Sequence, residues 1–223
     1  MSVKNRVVLI TGSSVGIGRE TAFKFAAEGF RLVITYRRNR KEAFAAAGKC
    51  LKLGSPDVLV LQLDVGSDAS IRKCVRSVVK KFGSVSILIN NAGILVWNVF
   101  RKQSFGDIES QVRVNLTGLM KMTHAMLPYV KDLIVNIASG AGKTAYSEIV
   151  PYCATKFGVR GFTQGLAQET RIPVISVNPG MTATAMTNFR GVKPEKVAQV
   201  ILRAATGKIK VKSGGDVDVW EYL

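Results

Sequence analysis

Short β-branched runs without polar alternation recur along this chain, each followed by a stretch of helical periodicity, and that alternation limits the fold more than any other feature. The first run is Arg6-Val7-Val8-Leu9-Ile10-Thr11, the pattern of a strand buried on both faces. Glycines and serines follow at once. From Arg19 to Glu28 the residues Ala22, Phe23, Phe25 and Ala26 fall at helical spacing, Gly29 stops the helix, and Arg31–Thr35 reads as a second strand. The unit repeats as a helix over Lys41–Leu53, a strand Val58–Leu63, a helix Ser67–Phe82 and a strand Ile87–Asn90. A long helix Phe105–Tyr129, the strand Leu133–Ile137, a helix carrying Tyr152 and Lys156, the strand Val174–Val177, a helix Pro194–Ala205 and a last strand-like segment Lys208–Val211 complete the pattern.

Alternation of this kind predicts an α/β fold, a single-domain doubly wound parallel sheet (Rossmann fold) of six to seven strands with helices on both faces. The ligand crevice of such a sheet lies beyond the carboxyl ends of its strands. With 223 residues the chain fills one domain, 1–223, and leaves no length for a second. The acidic, aromatic end Asp216–Leu223 reads as a tail that docks on the domain or on a partner subunit. No apolar run reaches the length of a membrane span, and Met1-Ser2-Val3-Lys4-Asn5-Arg6 lacks the apolar block of a signal peptide, so a soluble, cytoplasmic protein is expected. Three widely spaced cysteines, Cys50, Cys74 and Cys153, and one histidine, His124, support neither a disulfide framework nor a metal site. The net charge of +17 favours anionic ligands. Nucleic acid is not expected, because Lys and Arg are scattered and no nucleic-acid-binding motif accompanies them.

Two local patterns carry chemistry. Thr11-Gly12-Ser13-Ser14-Val15-Gly16-Ile17-Gly18 sits where the chain must turn sharply from strand into helix, and glycines there permit close approach of a pyrophosphate to free helix-start amides. Tyr152 and Lys156, four residues apart, share one helix face. An ammonium beside a phenol can favour its ionised form. Bringing a tyrosine pKa from about 10 to neutrality needs roughly three units, about 4 kcal/mol, which a close cation in a partly dry cleft can supply.

Four motifs in this order resemble the short-chain dehydrogenase/reductase family, in its 3-oxoacyl-carrier-protein-reductase-like branch, over nearly the whole chain. They are the Thr11–Gly18 loop, Asn90-Asn91-Ala92-Gly93, Ser139 standing thirteen residues before Tyr152 of the Tyr-x-x-x-Lys pair, and Asn178-Pro179-Gly180 with Thr182 and Thr184 after it. The resemblance implies hydride transfer between a nicotinamide and a carbonyl or alcohol carbon. It implies Tyr152 as general acid/base, Lys156 as stabiliser of the tyrosinate and grip on the ribose, Ser139 as donor to the substrate oxygen, and Asn115 as holder of a water that reaches Lys156. It assigns Gly12, Ser14, Gly16, Ile17 and Gly18 to the pyrophosphate, and Asp64, Val65, Asn91, Ala92 and Gly93 to the adenosine. Pro179, Gly180, Thr182 and Thr184 would hold the nicotinamide.

Cofactor choice is read after the second strand, where Thr35-Tyr36-Arg37-Arg38-Asn39-Arg40-Lys41 contains no acid. Guanidinium groups there suit a 2′-phosphate, so NADP(H) is expected, with Arg37 and then Arg38 as its ligands. Val15 departs from the basic residue that many NADP-dependent relatives carry before the second loop glycine. The segment from Thr184 to Pro194 is short, which predicts an open substrate pocket, with Met181, Met186, Phe189, Trp97 and Tyr146 as candidates to line it. A small carbonyl or alcohol is the expected substrate, a 3-oxoacyl thioester one version of it, and a homodimer or homotetramer the expected assembly. The alternative is a non-catalytic dinucleotide-binding regulatory protein.

Overall fold

The computed structural model of the protein describes residues 6–223; Met1–Asn5, part of the stretch read above for an export signal, lie outside them. Seven parallel strands form one sheet: β1 (Val7–Ile10), β2 (Arg31–Tyr36), β3 (Val58–Gln62), β4 (Val85–Asn90), β5 (Val130–Ile137), β6 (Val174–Asn178) and β7 (Asp216–Asp218). Their order is β3-β2-β1-β4-β5-β6-β7, so the chain reverses direction across the sheet between β1 and β4. That is the switch point where a doubly wound sheet opens a crevice. The glycine loop leaves β1, and Asn90–Gly93 ends β4, so both motifs stand at its lip.

Strand residues alternate between two cores, as a pleat requires. Val8, Ile10, Leu32 and Ile34 pack with Phe25, Phe30 and Ile201 under α1 (Gly16–Ala27), α2 (Arg40–Leu53) and α7 (Pro194–Ala205). Val7, Leu9, Val33 and Leu88 face the other way, onto Val75, Val78, Met122 and Met126 of α3 (Asp68–Phe82) and α5 (Gly118–Met126). Ser67 begins α3 by accepting from the Ser70 amide, and Ser104 caps α4 (Phe105–Val112) in a reciprocal box with Asp107.

Two expectations need correction. The helix Phe105–Tyr129 is interrupted: a π-turn, Arg113–Thr117, joins α4 to α5, and a 3₁₀ turn, Leu127–Tyr129, ends it. The last strand is Asp216–Asp218 and not Lys208–Val211. The Lys-Ile-Lys-Val alternation has the strand period, yet Lys208 and Ile209 give their amides to Arg203 O, wrapping the end of α7. The true edge strand carries two acids, which pattern reading rejects; here Asp216 meets Arg160, and Asp218 meets Lys143 and Asn178. The expected tail thus docks on its own domain, as a strand.

Candidate active site

A cavity of about 1100 Å³ runs along the carboxyl ends of the strands. Arg37 and Arg38 line one end, the glycine loop and Asp64 the middle, and Ser139, Tyr152 and Lys156 the wall beyond. Of the residues to which the resemblance or the cofactor reading gave a catalytic or cofactor role, only Gly18 and Asn115 do not line it. The aromatic and methionine residues expected at the substrate end, Trp97, Tyr146, Met181, Met186 and Phe189, all do.

The loop is shaped by backbone that other residues resist. Gly12 has φ +65° and Gly16 φ +60°, in the left-handed region. Gly18 lies beneath: a Cβ there would sit 2.5 Å from Asn91 Nδ2 and 2.6 Å from Gly12 O. Asn91 earns that closeness by donating from Nδ2 to Thr11 O and Gly12 O at 2.9 and 3.1 Å. Thr11, which sequence reading did not single out, accepts from the Asn91 and Ala92 amides through one hydroxyl, and Thr35 Oγ1 accepts from Gly12 N. A threonine straight after a strand and before a glycine was the available signal. Asp64 Oδ1 accepts from Gly66 N, which fixes the carboxylate at the cavity wall.

Tyr152 and Lys156 lie on α6 (Val150–Glu169), with Pro151 in its first turn, where a missing N–H costs nothing. Lys156 is 4% exposed and its Nζ lies 5.5 Å from the Tyr152 ring centre, donating to Ile137 O at 2.8 Å. Ser139 ends the β5 segment; its Oγ accepts from Ala141 N and reaches toward Pro179 O. Burial pushes the Tyr152 phenol up to about 12, against an opposing pull from the Ser139 hydroxyl, and burial brings Lys156 down to about 8. The direction at Tyr152 is opposite to that expected from the sequence. Desolvation outweighs the Ser139 hydroxyl, and the ammonium gives its hydrogen bond to Ile137 O and not to the phenol. At neutral pH the site therefore holds a protonated phenol beside a charged lysine.

Asn115 sits in the π-turn, buried, with its side chain already committed. Nδ2 donates to Ile94 O at 2.8 Å and to Thr155 Oγ1 at 3.3 Å, and Oδ1 accepts from Ile94 N at 2.8 Å. The amide ties the segment after β4 to the helix of Tyr152. Pro179 O accepts from Gly140 N at 2.8 Å, linking the Pro179–Gly180 turn to the Ser139 loop. Thr182 Oγ1 donates to Gly180 O, and Thr184 meets the glycine loop, since a Cβ on Gly16 would lie 3.3 Å from its methyl.

The carboxyl-terminal strand braces this wall. Arg160 joins Asp216 to Gly142 O, and Asp218 accepts from Asn178 Nδ2 at 2.7 Å and pairs with Lys143. Trp220 packs against Gly140, one residue past Ser139. Asp218→Ala leaves a buried amide and a lysine without their acceptor, so unfolding should lose about 2–3 kcal/mol, lowering Tm by about 4–10 °C. Thermal unfolding monitored by circular dichroism checks it, with Asp218→Asn expected to lose less.

The family model described as short chain dehydrogenase matches residues 6–194. An NADP-dependent 3-hydroxy acid dehydrogenase of Schizosaccharomyces pombe is 34% identical, over 92% of this chain and 89% of that protein. Among solved structures, a short chain dehydrogenase from Burkholderia cenocepacia in complex with NADP is 26% identical, with a TM-score of 0.89 over 98% of this chain and 97% of its own. A 3-oxoacyl-[acyl-carrier protein] reductase from Brucella melitensis in complex with NAD is 27% identical, with a TM-score of 0.87 over 96% and 95%.

Proposed function

The chain belongs to the short-chain dehydrogenase family, and on that premise we propose that it is an NADPH-dependent carbonyl reductase with Tyr152 as the proton donor. The observation that carries the reading is the meeting of Ser139, Tyr152 and Lys156 on one wall of a cavity whose floor is the glycine loop. That floor fits a dinucleotide: Gly12 and Gly16 leave backbone open at the start of α1, and Lys156 brings a positive charge to the far end.

When bound, the dinucleotide supplies the hydride that adds to the carbonyl carbon, and the resulting alkoxide takes its proton from this protein. Tyr152 gives that proton. A phenol held near 12 stays protonated until the substrate oxygen gains charge, and transfer to an alkoxide then runs downhill. Ser139 donates a hydrogen bond to the same oxygen. Lys156 stabilises the phenolate left behind, in a partly dry site where its charge counts for more than in water. Asn115 acts as a strut, holding Ile94 and Thr155 in register so that Tyr152 faces the cavity.

The preference for NADPH is supported by Arg37 and Arg38, which line the cavity and have no ion-pair partner among the described residues. Arg37→Asp should weaken NADPH binding about 10- to 100-fold and NADH binding little, as loss of one charge-assisted contact to phosphate implies. Titrating both nucleotides into wild type and variant checks this; tighter binding of NADH by the wild type would contradict it.

The reading extends to a homodimer or homotetramer in the cytoplasm. Val150, Ala154, Phe157 and Gly161 form an exposed, uncharged stripe along α6, while Arg160 turns inward to Asp216. The three cysteines are buried free thiols. Among the described residues no helix is long and apolar enough to cross a membrane. The function is tested by consumption of NADPH with a panel of aldehydes, ketones and 3-oxoacyl thioesters.

A further inference from the structure

Formal charge is unevenly spread along the cavity. Arg19, Arg37, Arg38 and Asp64 stand at the glycine-loop end, Lys156 stands beside Tyr152, and the remaining charged residue of the described lining is Glu148. It was not foreseen from the sequence. Nothing about an isolated glutamate in a loop marks it, and its significance comes from how it is held.

Glu148 has φ +64°, a left-handed backbone that glutamate rarely takes. Such a conformation persists where the surroundings hold it, and here two contacts do so. Its carbonyl accepts from Asn98 N at 2.9 Å, and its Oε2 accepts from the Trp97 indole at 3.1 Å. These bonds pin the segment after β4 to the segment before α6 and fix the carboxylate at the cavity wall beside an aromatic face. The other oxygen, Oε1, has no hydrogen-bond partner among the described residues. Trp97, which holds the carboxylate, and Tyr146 and Phe189 give the same cavity flat apolar lining.

Resting on the reductase reading, we propose that Glu148 sets the substrate class: a carbonyl compound with an apolar or aromatic body that carries an ammonium or another hydrogen-bond donor at the end away from the reacting carbon. Oε1 accepts from that donor. A free carboxylate at the same place meets a fixed negative charge, and is disfavoured. The protein's excess of positive charge acts at longer range and is screened by salt, whereas this contact is local.

The test uses aryl ketones that differ only in the para substituent, aminomethyl or carboxylate, with NADPH. The ratio of kcat/KM for aminomethyl over carboxylate, taken within each protein, is expected to be about tenfold in the wild type, to fall toward unity in Glu148→Gln, and to invert in Glu148→Lys. Trp97→Phe, which frees the carboxylate from the indole, should shrink the ratio. Calorimetric binding of benzylamine and benzoate to the protein gives the same comparison without turnover, the amine binding tighter in the wild type and losing that advantage in Glu148→Gln. A wild-type ratio at or below unity, or one unchanged in Glu148→Gln, overturns the proposal. If no ketone is reduced but the amine preference and its loss are seen, the reductase reading fails and the assignment of Glu148 stands.

Discussion

Tyr152→Phe is expected to lower kcat by about three orders of magnitude while leaving the dissociation constant for NADPH within about twofold of wild type. The ring stays, so the packing against Lys156 and the wall of the cavity stay with it; only the hydroxyl goes. That hydroxyl has one function in this account, which is to hold a proton until the substrate oxygen needs it. Steady-state turnover with the best carbonyl substrate, beside a fluorescence titration of NADPH, separates the two effects. A variant that turns over within tenfold of wild type would remove Tyr152 from the reaction. A variant that fails to bind NADPH would show the hydroxyl to be structural.

Lys156→Met should give an enzyme that is nearly inactive and more stable than the parent. Burial lowers the lysine from its ordinary 10.5 to about 8, a cost to the charged form of about 3 kcal/mol. Methionine removes the cost, and the loss of the bond to Ile137 O takes back about 1 kcal/mol, so the net gain at pH 7 is about 2 kcal/mol. The pH dependence has a definite sign. Between about 8 and 10.5 the unfolded chain keeps the lysine proton that the folded chain gives up, so wild-type stability rises with pH across that window. The advantage of methionine is therefore full below pH about 8 and gone near 10.5. Chemical denaturation of both proteins at several pH values measures it, and an advantage that is flat with pH would mean that Lys156 is not held in a desolvated, charged state. A residue kept at such a cost fits a chemical role better than a packing one.

The parallel sheet and the glycine loop were legible because each rests on a local rule. β-branched runs need burial, and Gly12, Gly16 and Gly18 answer positive φ or close contact that can be placed by their position after a strand. The Tyr152–Lys156 pair was legible from helical spacing taken together with Ser139, the glycine loop and the other motifs. Asn115 drew notice through the family resemblance, and a π-turn lies there, but its bonds to Ile94 and Thr155 depend on segments distant in sequence. The edge strand was missed for a similar reason: Asp216 and Asp218 look like surface residues until Arg160, Lys143 and Asn178 are brought beside them. The direction of the Tyr152 pKa was misjudged because a sequence shows which charge is near but not how dry the site is. Glu148 was invisible, since neither its backbone conformation nor its indole partner leaves a mark in the order of residues.

The central claim is that hydride and proton reach one substrate carbonyl in the cavity before Ser139 and Tyr152. Incubating the protein with NADPH deuterated at the transferable position and a carbonyl substrate, then reading the alcohol by mass spectrometry, tests it most directly. Deuterium on the carbinol carbon, formed by the wild type and nearly absent with Tyr152→Phe, is the predicted result. Tight NADPH binding with no deuterated alcohol from any carbonyl in a broad panel would contradict it.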